Sequence, residues 1–278
     1  MLELRRTSYS YRKGDYALKN ATASIGPGIS LVIGPNGAGK TTLFRILAGM
    51  LVPQSGQCLF DDVSTSDELP SLRERIFYLP DDAVMPQTTI NEMARRHGVF
   101  YPTFSAERLS DNLAAFDMDG NEKLSGMSTG MRKKANVAYA LSLGVDLLLL
   151  DEPANGLDIS SQKILNKLIA RNISDTGYIV IATHMIHEMR NMFDNVVVLD
   201  RGRVVLSGST DSILNRWAFV VSDIRPANAL YCEQGIDGYH SVVPNTEGIN
   251  SSIDFTLLYS MLCTNPPIFN DDTFRNNN

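Results

Sequence analysis

The chain has 278 residues, 44% of them hydrophobic, which is enough for one large domain with an appendage or for two domains. Its formal net charge of −6 argues against a generic nucleic-acid binder, which needs a basic face against the phosphates. Cys58, Cys232 and Cys263 lack paired metal-site spacing and read as reduced thiols of a cytosolic protein; with no secretory signal at the N-terminus and no apolar window of ~18 residues, no direct membrane insertion is expected.

Residues 2–8 and 21–25 alternate apolar and polar side chains, with breaks at Gly14 and at Gly26-Pro27-Gly28, and predict a small antiparallel sheet. The apolar run 29–33 predicts a strand and 42–49 a helix, so Gly34-Pro35-Asn36-Gly37-Ala38-Gly39-Lys40-Thr41-Thr42 falls on a strand-to-helix turn. In that setting G-x-x-x-x-G-K-[ST] is a nucleotide phosphate cradle. Gly34, Gly37 and Gly39 can take positive φ and leave no Cβ in the way of inward-pointing N–H groups. The helix N-terminus adds partial positive charge, Lys40 reaches toward the β- and γ-phosphates, and the Thr41 hydroxyl is placed to ligate Mg²⁺.

After turns at Pro53 and Gly56, residues 57–60 predict a short strand and 75–80 another, ending at Pro80. From 89 to 121 the apolar spacing is helical and divided by Pro102, an insertion between strands. Residues 131–143 predict one helix stopped by Gly144, and Leu147-Leu148-Leu149-Leu150 is the continuous apolar run of a parallel strand covered on both faces. A helix at 159–171, a strand at 178–182, a helix at 187–192 and strands at 196–199 and 204–206 follow, the last two around the turn Asp200-Arg201-Gly202-Arg203. Strands alternating with helices give an α/β layer fold with a mainly parallel sheet. Beyond Asn215, apolar stretches at 218–221 and 255–262 between polar loops predict a small α+β module, frayed at 276–278.

A second set of residues arrives in order: Met127-Ser128-Thr129-Gly130-Met131, Asp151-Glu152-Pro153, Asn155-Gly156-Leu157-Asp158 and Thr183-His184. With the cradle, these resemble the ATP-binding subunit of an ABC transporter over residues 1 to about 210. The resemblance implies an ATPase that takes ATP and Mg²⁺. Its fold would be a P-loop ABC-type cassette over 1–213, with a mainly parallel core, a small antiparallel β subdomain and a helical subdomain at about 82–140, followed by an accessory segment at 214–278.

Asp151 ends a buried strand, where a carboxylate can hold a Mg²⁺ water, and Glu152 points the other way as the natural general base. The resemblance makes His184 a γ-phosphate donor and places Asp158 on a loop that crosses to the opposite subunit. It gives Ser128 and Gly130 the positions that contact the γ-phosphate bound on the partner. Met127, Thr129 and Met131 depart from the usual Leu-Ser-Gly-Gly-Gln; the competing register Leu124-Ser125-Gly126-Met127 is set aside because the helix is expected to begin after Gly130 and because the spacing to Asp151 selects Ser128. Asp81 stands in the slot of the family's metal-sensing glutamine, with Gln87 further along. A carboxylate there can ligate Mg²⁺ but repels the γ-phosphate by about 3 kcal/mol at ~5 Å and an effective dielectric of ~20, so altered metal dependence or slower turnover is expected. Tyr11 matches the aromatic that stacks on adenine, with Tyr9 and Tyr16 as competitors, and Arg132-Lys133-Lys134 reads as a solvated helix face.

Phe100-Tyr101-Pro102-Thr103-Phe104 and the stretch from Ser128 to Lys134 are similar to bacterial ABC-2-type export ATPases, which serve drug, peptide or bacteriocin efflux. That implies a second cassette subunit, identical or paralogous, and integral membrane permease subunits as partners, with the chain peripheral on the cytoplasmic face of the membrane and no nucleic acid bound. Two alternatives stay open: a soluble ABC ATPase of translation or DNA work, and a poorly hydrolysing regulatory subunit, suggested by Asp81 and Thr129.

Overall fold

The computed structural model describes residues 1–83, 87–184, 189 and 192–264. β1 (Leu2–Arg12) and β2 (Asp15–Ile25) form a hairpin, longer than the alternation predicts because bulges between Leu4 and Arg12 carry the pairing past irregular positions. β3 (Gly28–Ile33) leads into α1 (Lys40–Leu47). β4 (Ser55–Phe60) and β5 (Val63–Ser64) complete a four-stranded antiparallel sheet in the order β2-β1-β4-β5. The short α2 (Pro70–Arg73) precedes β6 (Ile76–Leu79), and the insertion follows as α3 (Ile90–His97) and α4 (Ala106–Ala115), each opened by a hydroxyl cap, Thr89 and Ser105.

α5 spans Thr129–Ser142 and β7 Leu147–Asp151; α6 (Ile159–Asn172), β8 (Tyr178–Ala182), β9 (Asn195–Asp200) and β10 (Arg203–Ser209) follow. The helix expected after Gly130 begins at Thr129 instead, because the Ser128 side chain accepts from Met131 N and starts the first turn earlier. The helix expected at 187–192 and the tail at 276–278 fall largely or wholly outside the described residues. The central sheet has the order β10-β9-β3-β8-β7-β6, parallel from β9 to β6 with β10 antiparallel at its edge.

Alternation along the doubly covered strands divides the interior in two. Leu148, Leu150, Ile179 and Ile181 face a core shared with α5 and α6, whereas Leu147, Leu149, Val180 and Val32 face one shared with α1 and the antiparallel sheet. Because β3, β6, β7 and β8 run in one direction, the loops that follow them emerge at one edge, where α/β sheets bind ligands.

The C-terminal part comprises α7 (Thr210–Arg216), a three-stranded sheet of β11 (Trp217–Ser222), β12 (Tyr231–Gly235) and β13 (Gly238–Pro244) in the order β11-β13-β12, and α8 (Phe255–Thr264). α8 buries Phe255, Leu257, Leu258, Met261 and Leu262 in the same core as Phe193, Val196 and Ile213, each burial contributing about 1.5–3 kcal/mol before entropy is counted. Among the described residues no helix is long and apolar enough to cross a membrane.

Candidate functional site

The cradle is the loop between β3 and α1. Gly39 adopts φ 105° at the helix cap, and a Cβ there would lie 2.3 Å from the Ala17 carbonyl oxygen, so only glycine fits. Gly37 also uses positive φ; Gly34 does not, and there it is the missing Cβ that matters, since one would come 2.3 Å from the Leu199 carbonyl oxygen. The turn after β9 thus forms the floor of the loop, and Gly202 N donates to Ala38 O at 3.0 Å. Asn36 lies at the exposed crest and Ala38 is buried beneath it. α1 carries no acidic residue in its first turn, leaving its N-terminal partial charge unopposed.

Lys40 Nζ folds over the loop and donates to Gly34 O at 2.7 Å and Pro35 O at 3.2 Å. Thr41 Oγ1 donates to Asp151 Oδ2 at 2.9 Å, and Tyr78 OH to the same oxygen at 3.2 Å. Burial pushes the Asp151 carboxyl above the ordinary aspartate range; the Thr41 and Tyr78 hydrogen bonds oppose this, and the charges of Glu152 and Asp81 add to it. A cation would relieve that burden. Thr41 and Asp151 offer hard oxygens suited to Mg²⁺, which takes few protein ligands and fills its shell with phosphate and water oxygens; the donor set fits the ion. Tyr11 is 55% exposed, with its hydroxyl 3.3 Å from Thr42 Oγ1 and its ring edge-on to Tyr9, and so presents an aromatic face beside α1. Tyr16 is also exposed, beneath the Lys19 ammonium.

Glu152 stands one residue past β7 with φ 49°, a left-handed conformation uncommon outside glycine. Its N–H donates to Ala182 O at 2.8 Å, and its carboxylate lies 2.9 Å from His184 Nδ1 and accepts from His184 N at 3.3 Å. The two residues read as base and γ-phosphate donor are thus in direct contact. Ser128 caps α5, Gly130 lies against the Gly156 carbonyl, and Asp158 caps α6, where the Ser160 and Ser161 hydroxyls and the Ser161 N–H hold its carboxyl well below the usual range.

The reading of Arg132-Lys133-Lys134 as a solvated face is overturned. Arg132 donates to Met127 O at 2.8 Å, and Lys134 lies over the Phe116 ring and 3.8 Å from Asp158. The Lys133 side chain is only 10% exposed; its ammonium pairs with the Asp81 carboxylate and donates to Glu152 O at 2.7 Å. Asn155 Nδ2 adds a 3.3 Å contact to Asp81. The repulsion anticipated from Asp81 is therefore met by a cation within the same chain. Tyr78 and Lys133 are neighbours to which the sequence assigns no part in the site, and Asn155 enters there only as a member of a motif; the one signal for Lys133 is a dense basic run in a chain whose Asp81 lacks a local counter-charge.

The ABC transporter family matches residues 18–155. The ATP-binding protein NatA of Bacillus subtilis is 31% identical over 66% of this chain and 77% of its own length. The chain belongs to the ABC transporter ATP-binding proteins. Further relatives of this ABC ATPase include the Nod factor export ATP-binding protein I of Cupriavidus metallidurans, 29% identical over 77% of this chain and 73% of its own, and the energy-coupling factor transporter ATP-binding protein EcfA of Methanothermobacter thermautotrophicus, 30% identical over 75% and 71%. Among solved structures, a dimeric ATP-binding cassette in a post-hydrolysis state with ADP and Pi superposes with a TM-score of 0.65 at 26% identity over 75% of this chain and 98% of that one. The chain is accordingly an ATPase of P-loop cassette fold, built to bind ATP.

Proposed function

We propose that this ABC ATPase drives export through separate membrane permease subunits, pairing head to tail with a second cassette, identical or paralogous, when both hold ATP. The cassette is read as 1–213 with its helical subdomain at about 82–140, and 214–278 as an accessory segment. Tyr11 stacks on the adenine; Lys40 and the backbone N–H groups of Gly34, Asn36, Gly37, Ala38, Gly39, Thr41 and Thr42 hold the phosphates; Thr41 and Asp151 would hold Mg²⁺, with Asp81 within its field. When bound, Mg²⁺ neutralises charge on the β- and γ-oxygens. Glu152 takes a proton from the attacking water, and His184, held on Glu152, steadies the γ-phosphate. Ser128, Gly130 and Asp158 complete the partner's site, so that dimer closure responds to the γ-phosphate and moves the helical insertion against the permease.

The observation that carries this reading is the Glu152 carboxylate anchored on His184, one residue beyond an Asp151 already bound to Thr41. Export is favoured by the likeness of 100–104 and 128–134 to export ATPases and by the relative named for Nod factor export. The test is Glu152→Gln with ATP and Mg²⁺. Turnover should fall by at least about a hundredfold, and a stable dimer should appear by size exclusion with light scattering. A monomer under those conditions, or wild-type turnover, rules the reading out.

A further inference from the structure

Glu152 holds a left-handed backbone conformation that is uncommon outside glycine, and four groups of other residues hold its peptide and side chain there. Its N–H is fixed by Ala182 and its carboxylate by His184, while its carbonyl oxygen accepts from Asn155 N at 3.2 Å and from Lys133 Nζ at 2.7 Å. Of these groups only Lys133 comes from α5, the helix that Ser128 caps. The same ammonium pairs with Asp81, on the loop after β6, which also lies against Asn155. One nearly buried cation therefore joins α5, the Asp81 loop and the Glu152 peptide.

We propose that Lys133 is a positioning residue for hydrolysis: it neutralises Asp81 and holds the Glu152 peptide in its left-handed turn, so that the placement of α5 sets the aim of the Glu152 carboxylate. This rests on the reading of Glu152 as the general base. In this arrangement Asp81 is tolerated in its slot because Lys133 answers its charge, and removing the cation alone leaves a carboxylate facing the γ-phosphate.

The test compares Lys133→Met, Asp81→Gln and the double variant by steady-state ATPase, ATP affinity and thermal midpoint. Lys133→Met should lower kcat at least about tenfold with KM for ATP within about twofold, since a small misplacement of a reacting group costs turnover rather than binding. Adding Asp81→Gln to Lys133→Met should recover at least about threefold of the lost turnover, because the unanswered charge is gone. A purely structural lysine would lower the thermal midpoint and ATP affinity together and gain nothing from the second change; that result, or an unchanged kcat in Lys133→Met, overturns the proposal. If Lys133→Met fails to fold, the double variant, which leaves neither charge unpaired, decides: reduced kcat with retained ATP affinity supports the proposal, and wild-type kcat overturns it. Wild-type turnover in Glu152→Gln would instead defeat the underlying assignment of the base, separately from Lys133.

Discussion

The cradle after β3 and the corner where Asp81, Lys133, Glu152 and His184 meet lie at the same sheet edge but are built from different material. The cradle is backbone: glycines admit close approach to Ala17 and Leu199, and an uncapped helix end supplies the charge. The corner is side chains: a nearly buried ammonium, two carboxylates and an imidazole, drawn from α5 and from the loops after β6, β7 and β8. A backbone site fails by steric collision and fails completely. A side-chain site fails by charge imbalance, and a second substitution can redress it.

The sharpest break of that contrast is Gly39→Ala. The added methyl meets the Ala17 carbonyl at 2.3 Å in a φ that L residues avoid. The variant should unfold in urea with about 3 kcal/mol less stability and lose ATP binding, and no partner substitution should restore it. Intact binding in a folded Gly39→Ala protein would show that the loop can yield. Ser128→Ala lies on the other side. Losing the α5 cap costs about 1 kcal/mol on denaturation, so a fall in turnover beyond about tenfold in the same variant reads a γ-phosphate contact, and turnover that merely follows stability reads a cap alone.

The cradle was legible in the sequence because its signal is local: nine consecutive residues between an apolar run and a helix. The doubly covered strands were legible for the same reason, since alternation across two faces still leaves an unbroken apolar string at Leu147 to Leu150. What makes Gly34 a glycine is not legible locally, because the atom that a Cβ would strike, the Leu199 carbonyl oxygen, is distant in the chain. Lys133 was read as solvated because a basic run on a helix usually is; only the pairing of β6 with β7, Leu79 opposite Leu150, sets Asp81 beside Glu152 and under the lysine. In the C-terminal part the sequence reading names neither β12 and α7 nor β13, whose buried Ser241-Val242-Val243 is too short an apolar run to stand out from the polar loops around it. Tyr231–Gly235 is an exposed edge strand without an apolar face, and Thr210–Arg216 buries only Ile213, so neither carries a periodicity to find.

Cys58 offers the gentlest probe of the contrast, from the cradle's own side. It lies on β4 in the core that also holds Leu43, Phe44, Ile46 and Leu47 of α1, and burial pushes its thiol up to about 12. The folded state keeps this proton and the unfolded chain gives it up near the ordinary value, so the group's contribution is whole below that value and is lost as pH rises through it toward about 12. At pH ~9 the loss relative to pH ~7 should be about 0.4 kcal/mol, read as the difference between wild type and Cys58→Ala in urea denaturation. Alkylation of the native protein at pH ~8 should mark the partly exposed Cys232 and Cys263 and spare Cys58. Early labelling of Cys58 would mean that the core under α1 opens readily, and the cradle would then owe its shape to bound nucleotide rather than to the packing beneath it.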